Sequence, residues 1–317
     1  MIYTNASRTD VGVLKAYGFD MSFGSKENDF EMVLGATEPM LDFGAFVYFE
    51  GTEYGGIVDG RSTSTNGESI TYTGRTWHGI LNSKIIEPDA GEDHLVVSGD
   101  AHDILTVLRQ RLGLGDLFTV RGGESGITVK NYKFHRYCGA FDGICDMLAD
   151  NGGKLKMCWE DRTVVLYAES AVDYTSAPVD GDMAHLAVEQ HQNKVNHLIC
   201  LGKGNLAERE VIHLYVDQFG QIGDVQYFTG LDERADKYEN SNVESSDELR
   251  TEGIKRLKEL RNTDTADISM FDRFPYDIGD LVGASDIKSG IKVTATVTQK
   301  IVKITNGVLT TEYQTGG

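Results

Sequence analysis

The sequence predicts a mainly β protein with an α+β part: two small antiparallel β-barrel domains flanking an α+β domain, plus a helical insertion. Three observations predict this. Short aromatic or β-branched segments, separated by Asn- and Gly-containing turns, recur at both ends of the chain, as in antiparallel sandwiches and barrels. Glycine is abundant (36) and proline scarce (4), which favours tight turns and strand bends over proline-rich linkers. A short bend-and-turn motif occurs twice, once near each end. The length of 317 residues suits roughly two to four small domains.

The first strand-rich stretch runs from Val11 to Tyr72. Its strands are Val11–Tyr17, Asp29–Leu34, Ala45–Glu50 and Ser69–Thr73, and Asn66-Gly67 is a hairpin signal. The character changes near Pro88, where Asp89–Asp93 is an acidic loop. Ala101–Leu112 then reads as an amphipathic helix with Ile104, Leu105, Leu108 and Leu112 on one face. Asp100 or Ser98 caps its start, and Gly113 and Gly115 stop it. Ile127–Val129 is a strand. Phe141–Ala149 is a second helix, ended by Asn151-Gly152-Gly153. Lys154–Glu160 and Thr163–Tyr167 form a hairpin around Asp161-Arg162.

Strand character returns at Val195–Leu201 and Glu210–Val216. An acidic stretch, Asp232–Ser246, follows. Ser245 and Glu248 match a capping box that introduces a helix over Asp247–Arg261, with Leu249, Ile254, Leu257 and Leu260 as its stripe. The final 40 or so residues are strands again. The expected domains are therefore 1–96, a first β-barrel; 97–177, an α+β domain; 178–225 with 265–317, a second β-barrel; and 226–264, an acidic helical insertion.

The repeat lies in Leu41-Asp42-Phe43-Gly44-Ala45-Phe46-Val47 and Tyr276-Asp277-Ile278-Gly279-Asp280-Leu281-Val282. An Asn-Gly turn follows each copy, Asn66-Gly67 and Asn306-Gly307, 23 and 28 residues after the motif glycine. The physical reading is a glycine bend entering a strand, then a strand pair closed by a type I′ turn. Coincidence is the alternative, since both dipeptide patterns are common in β proteins. The shared order and similar separation favour duplication.

Around this motif, the chain resembles the baseplate or tail-tip hub proteins of tailed phages and prophages. The resemblance rests on Gly56-Ile57-Val58, Ser69–Trp77, Leu81 and Ile85–Pro88, then on Lys194–Gly204, Ile278–Val282 and the closing strands. It implies two similar barrels with an α+β domain between them, and three subunits placing six barrels in a ring. Such a homotrimer matches a sixfold tail tube or distal tail proteins above to a threefold tip, spike or fibre below. It implies a virion-tail protein made in the bacterial host cytoplasm, with viral DNA passing through and no membrane partner. Many relatives continue into a hydrolase or receptor-binding region. This chain ends at Gly317, after the last strand, and no such region is expected.

The net charge of −19 repels phosphate and anionic lipid, which argues against DNA-binding and membrane-surface roles. An acidic lumen would let DNA slide without sticking. No signal peptide is expected at Met1–Asn5, and no run reaches the roughly 18 apolar residues of a membrane span. Cys138, Cys145, Cys158 and Cys200 form no CxxC pair and read as free, mostly buried thiols. Cys138 and Cys145 look two helical turns apart on one face.

Enzyme signals are weak. His185, His191 and His197 fall at intervals of six, which scatters them over a helix, and no HExxH or HxH occurs. Gly202-Lys203-Gly204 reads as a strand-end turn rather than a phosphate loop. Arg121–Gly126 reads as a mobile loop rather than an anion nest. Asp89–Asp93 and Asp232-Glu233 lack the ligand order of an EF-hand. Carboxylate pairs for glycoside hydrolysis arise by chance among 49 acidic residues. Trp77 reads as a core or domain-junction residue before a carbohydrate platform. The sequence therefore assigns no catalytic, cofactor-binding or metal-binding residue and no cofactor. The expected function is a structural tail hub. The alternative is a tail-associated cell-wall hydrolase or a carbohydrate-binding tail protein.

Overall fold

Alternation builds the sheets. Phe19, Met21 and Phe23 are buried on one side of a strand, Tyr17–Gly24, whose Asp20 is exposed. Phe30, Met32 and Leu34 repeat the pattern on Asp29–Gly35, so both strands turn one face to the same apolar cluster. The sequence runs its first strand through Tyr17. The chain instead ends a strand at Val13 and starts another at Tyr17. Leu14, between them, is buried.

This computed structural model describes residues 1–63, 69–176, 179–180, 184–189, 194–241, 243, 245–261, 265–271, 276–285 and 292–316. The protein is mainly β with an α+β part. Contacts divide it into two units, Met1–Leu186 with Asp267–Gly316, and Ala187–Ala266.

The first unit holds a 13-stranded sheet. Its first strand set runs, in spatial order, Tyr17–Gly24, Asp29–Gly35, Ser69–Thr76, Gly55–Thr63 and Phe46–Tyr48, followed by Ile2–Thr4 and Asp10–Val13. Its second runs Ala184–Glu189, Thr265–Phe271, Val308–Gly316, Lys292–Thr305 and Leu281–Ser285. Five strands therefore occur in the same order twice. In the first set, four residues, Ser25–Asn28, join the first two strands. In the second, residues 190–264, most of the other unit, join them.

The repeat motif is the same bend in both sets. Gly44 N donates to Val58 O at 2.8 Å and Val58 N to Ala45 O at 2.9 Å. Gly279 N donates to Val297 O at 2.8 Å and Val297 N to Asp280 O at 2.9 Å. Both glycines have positive φ, +82° and +97°. A β-bulge follows each bend, between Val58 and Gly60 and between Val297 and Gln299. At the second Asn-Gly turn, Asn306 and Gly307 have φ of 54° and 77°, the signs of a type I′ hairpin. Asn66-Gly67 lies outside the described residues.

The two sets are joined edge to edge. Lys292–Thr305 pairs antiparallel with Tyr17–Gly24, from Gln299 opposite Gly24 to Ile304 opposite Phe19. Among the described residues, no pairing closes either set into a ring, and the strand path is open at both ends. The joint between the sets uses the 14-residue length of Lys292–Thr305. Its first part takes Leu281–Ser285, and its second takes the edge of the other set.

Between the sets lies the α+β region. Helix α1 (Trp77–Asn82) follows the first set directly, capped by the Thr76 hydroxyl, which accepts from Gly79 N. Helices α2 (Ala101–Arg111) and α3 (Ala140–Asp150) share one core with the sheet Phe118–Val120, Thr163–Ser170 and Gly153–Glu160. Asp100 caps α2, accepting from His102 N at 2.9 Å. Cys138 lies on a short strand paired to Ile85-Ile86, ahead of α3, which corrects its expected helical position. This pairing holds Gly139 extended and delays the helix to Ala140.

The 187–266 unit has its own core. His197–Leu201 lies between Val211–Val216, antiparallel to it, and Ala235–Glu239, parallel to it. Helix α4 (Ser246–Arg261) covers this sheet with Leu249 and Leu257. Ser245 Oγ accepts from Glu248 N at 3.2 Å. Gly253 is required here, because a Cβ would come 2.4 Å from Cys200 Sγ.

Candidate functional site: a buried charged joint

Three lysines and three carboxylates converge inside the first unit. Lys154 Nζ lies 2.8 Å from Asp280 Oδ1 and 3.1 Å from Asp277 Oδ2. Lys156 Nζ is 2.7 Å from Asp277 Oδ1. Lys300 Nζ is 2.6 Å from Glu53 Oε1 and 3.8 Å from Asp277 Oδ1. Asp280 is fully buried and the Lys154 side chain is 4% exposed. The Asp280 carboxylate also accepts from Val172 N at 2.8 Å and Asp277 N at 2.9 Å. Glu53 comes from the first strand set, Lys154 and Lys156 from the α+β hairpin, and Asp277, Asp280 and Lys300 from the second set.

Burial raises the Glu53 carboxyl, but Lys300 and Lys156 outweigh it and hold it below the ordinary value. Burial likewise raises Asp277, and Lys156, Lys300 and Lys154 pull it below. Lys300, disfavoured as a cation by burial, is held charged by Glu53. His78 lies 4.0 Å from Glu53 and stacks on Phe23 at 4.1 Å. Burial drives its pKa down to about 4, so it is neutral near pH 7. The three positive and three negative charges balance, which is the condition for burying ions.

This arrangement ties three segments of the chain together. A cleft of about 320 Å³ beside it is lined by Lys154, Gly279, Cys145 and Asp146, among others. Burial pushes the Cys145 thiol up, which disfavours the thiolate a nucleophile needs. Among the described residues, no group of three or more His, Cys, Asp or Glu is placed to hold a metal ion. No described helix is long and apolar enough to cross a membrane.

The residues weighed from sequence are scattered. Trp77 is fully buried, stacked on Trp159 at 5.0 Å and edge-on to Phe46 at 5.3 Å. His197 contacts Glu233 and His213, at 2.6 and 2.8 Å. His191 lies outside the described residues. Gly202-Lys203-Gly204 is the end of a hairpin, with Gly202 N donating to Glu210 O and Glu210 N to Lys203 O. In the Arg121–Gly126 loop, Ser125 N and Oγ both donate to Asp100. Asp89 pairs with Arg111 at 2.6 Å. Cys158 and Cys200 are buried and Cys138 and Cys145 half-buried, all free. The charged joint was missed. Its one sequence signal is Asp280, which stands where the first copy of the repeat has Ala45.

Solved structures share this arrangement of strands. A 43 kDa tail protein of prophage MuSo2 from Shewanella oneidensis matches 99% of this chain over 97% of its own, with a TM-score of 0.59 at 11% identity. The chain has the fold of prophage tail proteins. A prophage tail protein of Listeria monocytogenes matches 99% of the chain over 93% of its own, with a TM-score of 0.54 at 14% identity. A tail protein of Neisseria meningitidis matches 97% over 93%, with a TM-score of 0.52 at 13% identity. No protein-family model and no curated protein matches the sequence. At such identities the likeness is one of fold.

Proposed function

We propose that this chain is a structural, non-enzymatic subunit of a phage-type tail, a hub that joins a sixfold tube to a threefold tip, spike or fibre. One observation carries the reading: a single chain holds the same five-strand set twice, with the same bend and bulge. Three such chains offer six similar elements, which is what a junction between threefold and sixfold partners needs. The fold shared with prophage tail proteins supports a place in the virion tail. The tube or distal tail proteins and the tip are its partners, and DNA passes its acidic wall without sequence-specific contact. No cofactor takes part.

Light scattering on the size-separated protein tests this. A trimer, or a monomer that forms a ring with its tail partner, is the expected result. A stable compact dimer with no ring form overturns the hub. Release of fragments from purified cell wall by the intact chain would replace it with a hydrolase.

A further inference from the structure

The repeat gives each strand of the first set a counterpart in the second, residue by residue across the bulge. Val58 corresponds to Val297, Gly60 to Gln299, Arg61 to Lys300, Ser62 to Ile301 and Thr63 to Val302. The strand Tyr17–Gly24 corresponds to Ala184–Glu189, because each is the outermost of its five. With this correspondence, one contact present in the second set is missing from the first. Past the bulge, Gln299–Ile304 is paired on both sides, with Val308–Gly316 and with Tyr17–Gly24. Past its own bulge, Gly60–Thr63 pairs with Ser69–Thr76, and no described strand lies on its other side, where Phe46–Tyr48 stops at Ile57.

The bend residues tell the same story. Ile278 of the second bend is half-covered, packed against the cluster built on Met21, Phe23 and Phe30 of the first set. Its counterpart Phe43 is 55% exposed, with the Arg61 guanidinium 5.0 Å over its ring. Val302 is fully buried where Thr63 is exposed. An uncapped strand edge is a template for another strand. Arg61, Ser62 and Thr63 make this one polar enough to stay soluble unpaired.

We propose that the Asp59–Thr63 edge receives the Ala184–Glu189 strand of a second copy of this chain, antiparallel, repeating between chains the joint that Lys292–Thr305 and Tyr17–Gly24 make within one. The contact joins two different surfaces, so each chain offers a donor strand at one end and an acceptor edge at the other, and the series closes into a ring or runs on as a filament. The number of copies in the ring rests on the hub reading; the choice of edge does not.

Disulfide trapping on the full chain tests the edge. Ser62→Cys is combined in turn with a cysteine at each position from 184 to 189. The pair Ser22→Cys with Ile301→Cys, opposite one another in the existing joint, reports crosslinking within a chain, and each single variant is a control. The expected result is an intermolecular crosslink from Ser62→Cys at positions of one parity, absent from the single variants. Phe43→Asp, on an exposed residue, should keep the circular dichroism of the native chain and raise the concentration needed for assembly by about ten-fold or more. A trimer that yields no such crosslink and is indifferent to Phe43→Asp overturns the edge and leaves the hub standing. A crosslinked assembly of some other size supports the edge and overturns the trimer. A chain that stays monomeric and uncrosslinked at high concentration and with tail proteins present overturns both.

Discussion

The α+β region is tied to the two strand sets by joints of opposite chemistry. At the first, Trp159 stacks on Trp77 at 5.0 Å, Tyr48 lies 4.3 Å from Trp159, and Phe46 meets both tryptophans edge-on. At the second, Lys154 and Lys156 from the same strand as Trp159 reach Asp277 and Asp280. The backbone bend is common to both sets, yet it carries a buried Ala45 in one and a buried Asp280 in the other. The bend is therefore the same in both sets, while side chains make one joint apolar and the other ionic. An apolar joint depends on packing and holds no buried ion pair for pH to break. An ionic joint fails sharply when one partner is removed, because the other is left buried and charged.

The largest expected effect comes from breaking the ionic joint at one partner. Lys154→Met should cost about 3–5 kcal/mol in urea unfolding, and adding Asp280→Asn should recover part of it. A cost below about 1 kcal/mol would show that the ion pairs contribute little beyond what their own desolvation removes. Acid should separate the joints next. His78 binds its proton less readily folded, at about 4, than at the ordinary 6.5. Its contribution is then fully present above pH 6.5 and lost as pH falls towards 4, on the order of 3 kcal/mol in all. Glu53 and Asp277, both held below their ordinary values, withdraw theirs as pH falls further. The urea midpoint should therefore drop from pH 7 to 4, and His78→Phe should flatten the upper part of that slope.

The two bend glycines sharpen the comparison. Gly44→Ala should cost about 1–2 kcal/mol, the price of a left-handed backbone for an L residue, since its Cβ would meet nothing within 4 Å. Gly279→Ala should cost more, because its Cβ would lie 2.9 Å from that of Lys154. Trp159→Phe at the apolar joint, a large-to-small change in a packed core, should cost about 1–2 kcal/mol and give the same loss at pH 5 and pH 8. A loss that varied with pH would mean that the two joints are coupled.

Local signals were legible wherever neighbouring residues sufficed. The caps at Asp100 and Ser245, the helices α2 and α4, and the Asn306-Gly307 turn all follow from short-range rules. Helix α1 escaped because it has six residues, one of them Gly79, too few for a periodic stripe. It forms because Thr76 caps it and is itself held by Asn28 O. Tyr17–Gly24 escaped despite its alternation, because Gly18 and Gly24 make it resemble a turn.

By itself, the sequence determined the mainly β class, the bend and its second copy, and most helix ends, because these depend on residues within a few positions of each other. The tertiary structure alone decided which strands are neighbours. Backbone hydrogen bonds carry no address, and alternation names a face without naming a partner. Only packing could decide that Lys292–Thr305 takes the edge of Tyr17–Gly24. It alone brings Glu53, Lys154 and Asp280, more than 200 residues apart end to end, into one balanced cluster. Charges of opposite sign reveal a pairing only when the fold removes the water between them.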